Sequence, residues 1–98
     1  MTNTRRIKAP VWVHDGFAPW HFATISKPDA EHLKEQYVFE RRGFGSIPVI
    51  VTVGKTTWKT SIFPTKDGSY VLPLKKEVRI KEGITAGDTL SLVLKVAQ

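Results

Sequence analysis

A chain of 98 residues is short enough that we expect residues 1–98 to form a single domain around one hydrophobic core. It has no cysteine, which excludes disulfide bonds, thiolate metal ligands and cysteine nucleophiles. The net charge is +6, and no apolar run approaches the length needed to span a membrane. We therefore expect a basic, cytoplasmic protein with no membrane partner.

The positive charge is concentrated in the middle of the chain. Between Arg41 and Lys81 there are nine basic and two acidic residues, a sum of +7, and the remaining residues sum to −1. Such asymmetry is typical of a surface that meets an anionic partner. It is equally typical of a solvated face that keeps a small protein soluble, and the charge count alone leaves both interpretations open.

The first third of the chain predicts two strands and a helix. Apolar residues alternate over 6–13, and a strand over 20–25 follows the Asp15-Gly16 turn; the inward positions of the first strand are Ile7, Ala9, Val11 and Val13. Ser26 can cap a helix over about 26–40, with Pro28 in its first turn. Gly43 is placed to close that helix.

Residues 47–63 predict a hairpin in which Gly54-Lys55 forms a two-residue turn with glycine first. Pairing Val53 with Thr56 sets Val51 opposite Trp58 on a mostly apolar face, so we expect Trp58 in the core. Along the same face Val49 meets Thr60 and Ile47 meets Ile62.

The last third predicts a strand over 69–74, a short helix over about 75–82 ended by Gly83, and a closing strand. Ile84 is placed to pack back on the short helix, and the closing strand turns four apolar residues inward: Leu90, Leu92, Leu94 and Val96. These elements indicate a mainly β protein. We expect a small barrel of six to seven strands, since closing the sheet removes edges that would otherwise aggregate.

The C-terminal stretch "YVLPLKKEVRIKEGITAGDTLSLVL" resembles the swapped-hairpin pattern of the AbrB, MazE and MraZ proteins. Together with "WHFATISKP", "RRGFGSIPV", "TTWKTSIFP" and "DGSYVLP", nearly the whole chain resembles a prokaryotic domain-of-unknown-function family, number nineteen hundred and five. The resemblance implies a double-split, AbrB-like pseudo-barrel and frequent fusion to a YdeI/OmdA-like domain. It supplies no catalytic residue.

AbrB-type chains build such a barrel as a dimer, whereas this chain is long enough to close one alone. The sequence leaves a monomer and a homodimer both open.

Short motifs that suggest catalysis or nucleotide binding do not hold up in context. "GKT" at residues 54–56 lacks the earlier glycine and the following helix of a phosphate-binding loop. The three histidines have no partners at metal-ligand spacing, and no nucleophile elbow accompanies His14, Asp15 or Ser46. We therefore expect no cofactor, no metal and no enzymatic activity.

The leading prediction is a non-enzymatic binding module whose basic face meets an anionic partner, most readily nucleic acid. Six cations are predicted to form that face: Arg41, Arg42, Lys59, Lys75, Lys76 and Arg79. An alternative is a pocket for an anionic metabolite at a barrel end, with Trp20 and Phe44 as its aromatic residues. A third is an accessory domain that binds a separate YdeI/OmdA-like protein.

Overall fold

A computed structural model describes residues 4–14, 20–36 and 45–97 of the chain. These residues form six strands and two helices. In chain order the elements are β1 (Thr4–His14), β2 (Trp20–Ile25), α1 (Lys27–Gln36), β3 (Ile47–Val53), β4 (Thr56–Pro64), β5 (Tyr70–Pro73), α2 (Lys76–Glu82) and β6 (Thr89–Val96).

The strands form a closed antiparallel barrel in the order β1-β2-β5-β4-β3-β6. The two longest strands, β1 and β4, make closure possible. Each pairs with one neighbour along its first part and with a different neighbour along the rest. Residues 4–10 of β1 pair with β6 and residues 11–14 with β2. In the same way residues 56–62 of β4 pair with β3, and 63–64 with β5. The predicted small β-barrel with two helices is confirmed, and one chain closes it alone.

The β3–β4 hairpin has the predicted register. Val53 pairs with Thr56, Val51 with Trp58 and Ile47 with Ile62. Gly54 has a φ of 57°, in the left-handed region, and no residue other than glycine has a positive φ in the described part of the chain. This is the backbone that a glycine-first hairpin turn requires.

Alternate residues of the strands fill the barrel. The inward positions predicted for β1 and β6 are buried, apart from the half-buried Val13. Trp58 differs from its prediction: it packs against the core but is only half-buried. Its indole is large enough that full enclosure is uncommon, and here part of the ring lines a surface cleft.

Both helices begin close to their predicted positions, and α2 also ends where predicted. Ala30 and Leu33 of α1 are fully buried, whereas its predicted extension to residue 40 and its closure at Gly43 lie outside the described residues. At the end of α2, Gly83 takes a left-handed φ of 63°. Ile84 then donates its amide to the carbonyl of Arg79 and is buried, which confirms the predicted hydrophobic stop.

Candidate anion-binding cleft

Helix α2 packs on the barrel at both ends, and this packing sets the backbone positions of the cations that it carries. Val78 is buried in the core and Ile84 packs back beyond the helix end. At its C-terminus, the Glu82 carboxylate accepts a hydrogen bond of 2.6 Å from the hydroxyl of Thr56, the first residue of β4. The helix therefore bridges the end of β5 and the β3–β4 hairpin.

A surface cleft of about 290 Å³ lies between this helix and three strands, and we call it the Trp20 cleft. Strand β2 contributes its first two residues, β4 contributes Trp58 and Thr60, and the end of β5 leads into α2. The full lining is Trp20, His21, Trp58, Thr60, Pro73, Leu74, Lys75, Lys76 and Arg79.

The charged lining of the Trp20 cleft is entirely cationic. Arg79 is half-buried, and its Nε donates a 3.2 Å hydrogen bond to the carbonyl of Leu74, which holds the guanidinium at the cleft wall. Lys75 approaches Glu77 at 3.9 Å, but both side chains are largely exposed, so this pair is weak. No carboxylate lines the cleft, and Glu77 lies just outside it beside Lys75, so the lining carries three positive charges and no negative one.

Trp20 adds an exposed aromatic ring to the cleft. Trp20 is 57% exposed and stacks on Phe22, with ring centroids 6.2 Å apart and an interplanar angle of 12°. The ring centroids of Phe22 and Trp12 are in turn 5.1 Å apart. The Trp12 indole Nε1 donates a 2.8 Å hydrogen bond to the Thr24 hydroxyl. Phe22 therefore supports Trp20 from one side, and much of the Trp20 surface remains accessible to a planar ligand.

His21 adds a polar group to the same lining. Its Nδ1 is buried and has no hydrogen-bond partner among the described residues. A buried polar atom without a partner is uncommon in native proteins. The backbone of His21 is ordered by pairing, since its carbonyl accepts the amide of Leu74 at 2.9 Å.

The structure brings together three of the six predicted cations: Lys75, Lys76 and Arg79. Lys59 is not with them, because it follows Trp58 on β4 and its side chain lies on the other face of that strand. Arg41, Arg42 and Phe44 lie outside the described residues. Of the two predicted aromatic residues, Trp20 lines the cleft beside these cations.

The sequence did not single out Trp58 or His21 as cleft residues. The register of β4 alone predicts Trp58 in the core, and His21 belongs to no ligand motif. A signal was present in the alternation of Trp58 and Thr60 along β4, but locating a cleft required the position of α2.

Two other features are absent from the described residues. No group of three or more His, Cys, Asp or Glu side chains is placed to hold a metal ion in the described ranges. Nor is any helix among those residues long and apolar enough to cross a membrane.

Comparison with known proteins identifies the family. Residues 8–94 match the family model described as Domain of unknown function (DUF1905). The chain belongs to this family. The DUF1905 match covers every described strand and both helices, except the outer ends of β1 and β6. Searches of curated proteins and of solved structures found no match.

Proposed function

We propose that this DUF1905 domain is a non-enzymatic binding module that holds an anionic partner in the Trp20 cleft. Single-stranded nucleic acid is the class of partner that fits best. The observation that supports the proposal is the placement of three cations and an exposed tryptophan in one cleft without a carboxylate.

The phosphate and the base of a nucleotide each have a suitable counterpart in this cleft. Lys75, Lys76 and Arg79 can contact phosphate oxygens, and a guanidinium suits phosphate geometry particularly well. Trp20 offers a ring on which a base can stack, a contact that every base can make. In a duplex the base faces are covered by their neighbours, so a stacking residue favours single strands.

The test is fluorescence anisotropy with labelled single-stranded DNA, single-stranded RNA and duplex DNA at low salt. We expect micromolar binding of single strands that weakens as salt is raised. The substitution Trp20→Ala should lower the affinity for single strands by roughly 5- to 150-fold, which corresponds to the stacking energy of one base. Arg79→Gln should lower both the affinity and the slope of log affinity against log salt.

Matched controls separate the cleft from general surface effects. Phe63 is an exposed aromatic residue on β4 that does not line the cleft, so Phe63→Ala should leave binding unchanged. Lys66→Gln removes an exposed cation away from the cleft. If these controls weaken binding as much as the cleft variants, or if no salt-sensitive binding occurs, the proposal is wrong.

A second candidate, an anionic metabolite, is favoured by the size and lining of the cleft. Its volume of about 290 Å³ lies near the lower limit for small-molecule sites, and Pro73 and Leu74 give it an apolar wall. A ligand that binds only the folded state must raise the melting temperature by mass action. A thermal-shift screen of nucleotides and aromatic carboxylates therefore tests this candidate, and a screen with no stabilising compound would rule strongly against it.

A further inference from the structure

A second cationic surface lies on the outside of the barrel, where β4, β3, β6 and the first half of β1 form a four-stranded sheet. Lys59 lies opposite Ile50, and Ile50 lies opposite Lys95 on the next strand. Lys95 in turn lies opposite Thr4. Residues directly opposite one another share a face, so these four side chains form one row across the outer surface.

The next two outward positions of β1 extend this row into a stripe. Arg6 lies two residues beyond Thr4 and Lys8 lies two residues beyond Arg6, so both point to the same face. All four cations of the stripe are exposed: Lys59, Lys95, Arg6 and Lys8. We call this set the basic stripe.

No acidic group interrupts the basic stripe. The four strands β1, β3, β4 and β6 contain no Asp or Glu at any position. A shallow depression of about 440 Å³ lies at the β1 end of the stripe, and its lining includes Arg6, Lys8, Thr52, Ser91, Val93 and Gly54. The four strands therefore combine positive side chains with hydrogen-bonding hydroxyls, and a carboxylate, that of Glu82, lies beside Gly54 at the edge of the depression.

We infer that the basic stripe binds the phosphodiester backbone of a single-stranded nucleic acid whose bases occupy the Trp20 cleft. This rests on the proposed function and adds a second contact surface to it. The two surfaces meet at β4, which carries Trp58 toward the cleft and Lys59 toward the stripe. A strand that leaves the cleft across β4 meets Lys59 first.

The dimensions of the stripe suit such a backbone. From β4 to β1 there are three strand spacings, about 14 Å, and from Lys95 to Lys8 the offset along the strands is about 13 Å. The diagonal is therefore about 20 Å. A span of this length can contact several consecutive phosphates of a single strand.

The experiment compares two triple variants by anisotropy with a labelled dT 20-mer over a range of salt concentrations. The stripe variant is Lys8→Gln, Lys59→Gln and Lys95→Gln. The control variant has the same net charge and changes three exposed lysines that line neither surface nor the pocket beside β4: Lys27→Gln, Lys34→Gln and Lys66→Gln. Circular dichroism and melting curves establish that both variants are folded.

The stripe variant should reduce the salt slope by about 2, because each phosphate contact contributes about 0.7 for single strands. At 0.1 M salt this corresponds to a loss of affinity on the order of 100-fold. Binding of dTMP, followed by NMR and too small to reach both surfaces, should be unchanged. The control variant should lose far less affinity for the 20-mer.

The outcomes separate this inference from the proposed function. If the stripe and control variants weaken binding equally, only the net charge matters and the stripe assignment is overturned. If Trp20→Ala has no effect while the stripe variant does, the cleft proposal fails and the stripe stands as the main contact. A wild-type protein that does not bind the 20-mer at low salt overturns both.

Discussion

The substitution Gly54→Ala tests the link between the β3–β4 hairpin and helix α2. Gly54 has a φ of 57°, and a Cβ at this position would overlap the Glu82 carboxylate. That carboxylate accepts the 2.6 Å hydrogen bond from Thr56 that ties α2 to β4. Because Glu82 is flexible, it can move away from the new methyl group, but only by giving up this hydrogen bond.

Two contributions to the free energy of unfolding follow from this geometry. An alanine in the left-handed region costs about 1–2 kcal/mol. Loss of a hydrogen bond to a charged acceptor costs about 1.5–3 kcal/mol, the lower end being appropriate at this partly buried position. We expect Gly54→Ala to destabilise the domain by about 3 kcal/mol, which for a protein of this size lowers the melting temperature by well over 10 °C.

Urea unfolding followed by circular dichroism measures this loss, and Gly83→Ala provides the matched control. Gly83 also has a left-handed φ, 63°, but a Cβ there would meet nothing within 4 Å, so only the backbone contribution of about 1–2 kcal/mol should appear. In a Glu82→Ala background, Gly54→Ala should likewise fall to the backbone contribution. Equal losses for Gly54→Ala and Gly83→Ala, or no relief in that background, would refute the reasoning.

Two further predictions concern packing and pH. Val78→Ala should destabilise the domain by about 2 kcal/mol, since Val78 is 2% exposed, whereas Ile80→Ala on the same helix should change the unfolding free energy by less than about 0.5 kcal/mol. Hydrogen bonds from Thr65 and Ser69 hold the pKa of Asp67 well below its ordinary value of 3.8. Its ionised form therefore contributes stability above about pH 4, which is lost as the pH falls toward the lowered pKa. The stability difference between wild type and Asp67→Asn in urea unfolding should accordingly shrink between about pH 6 and about pH 2.5, and a constant difference would contradict this assignment.

The strand pattern could be predicted because burial of one face dictates the register. A slip of one residue in the β3–β4 hairpin would exchange Val51 and Trp58 for Thr52 and Thr57 on the inner face. The turn glycine at residue 54 and the left-handed Gly83 gave local signals of the same kind. Closure of the barrel needed more, since nothing local in β1 marks where its pairing changes from β6 to β2.

The candidate sites were predicted less completely, because a count of charge along the sequence does not show which cations become neighbours in the folded sheet. The basic segment between residues 41 and 81 contains Lys59, yet its cationic neighbours on the sheet face come from the two ends of the chain. Arg6 and Lys95 lie far apart in sequence and become neighbours only through the β1–β6 pairing. The three cleft cations could be predicted to lie together because they are close in sequence. One short helix and its N-cap carry Lys75, Lys76 and Arg79.

The relationship to AbrB-type proteins and the YdeI/OmdA-like partner remain predictions from sequence resemblance. Cytoplasmic location and the choice between monomer and homodimer likewise remain predictions. None of them enters the argument for the Trp20 cleft, which depends on the geometry of α2 and its three neighbouring strands.

An NMR titration with a short dT oligonucleotide tests the central claim most directly, because the Trp20 indole and the Arg79 guanidinium carry side-chain N–H groups that report on the cleft itself. The account predicts that the signals of Trp20, Trp58 and Arg79 shift together and saturate at one stoichiometry, while the amides of α1 stay in place. Saturating shifts confined to residues outside the cleft, or unchanged signals at millimolar oligonucleotide, would contradict it.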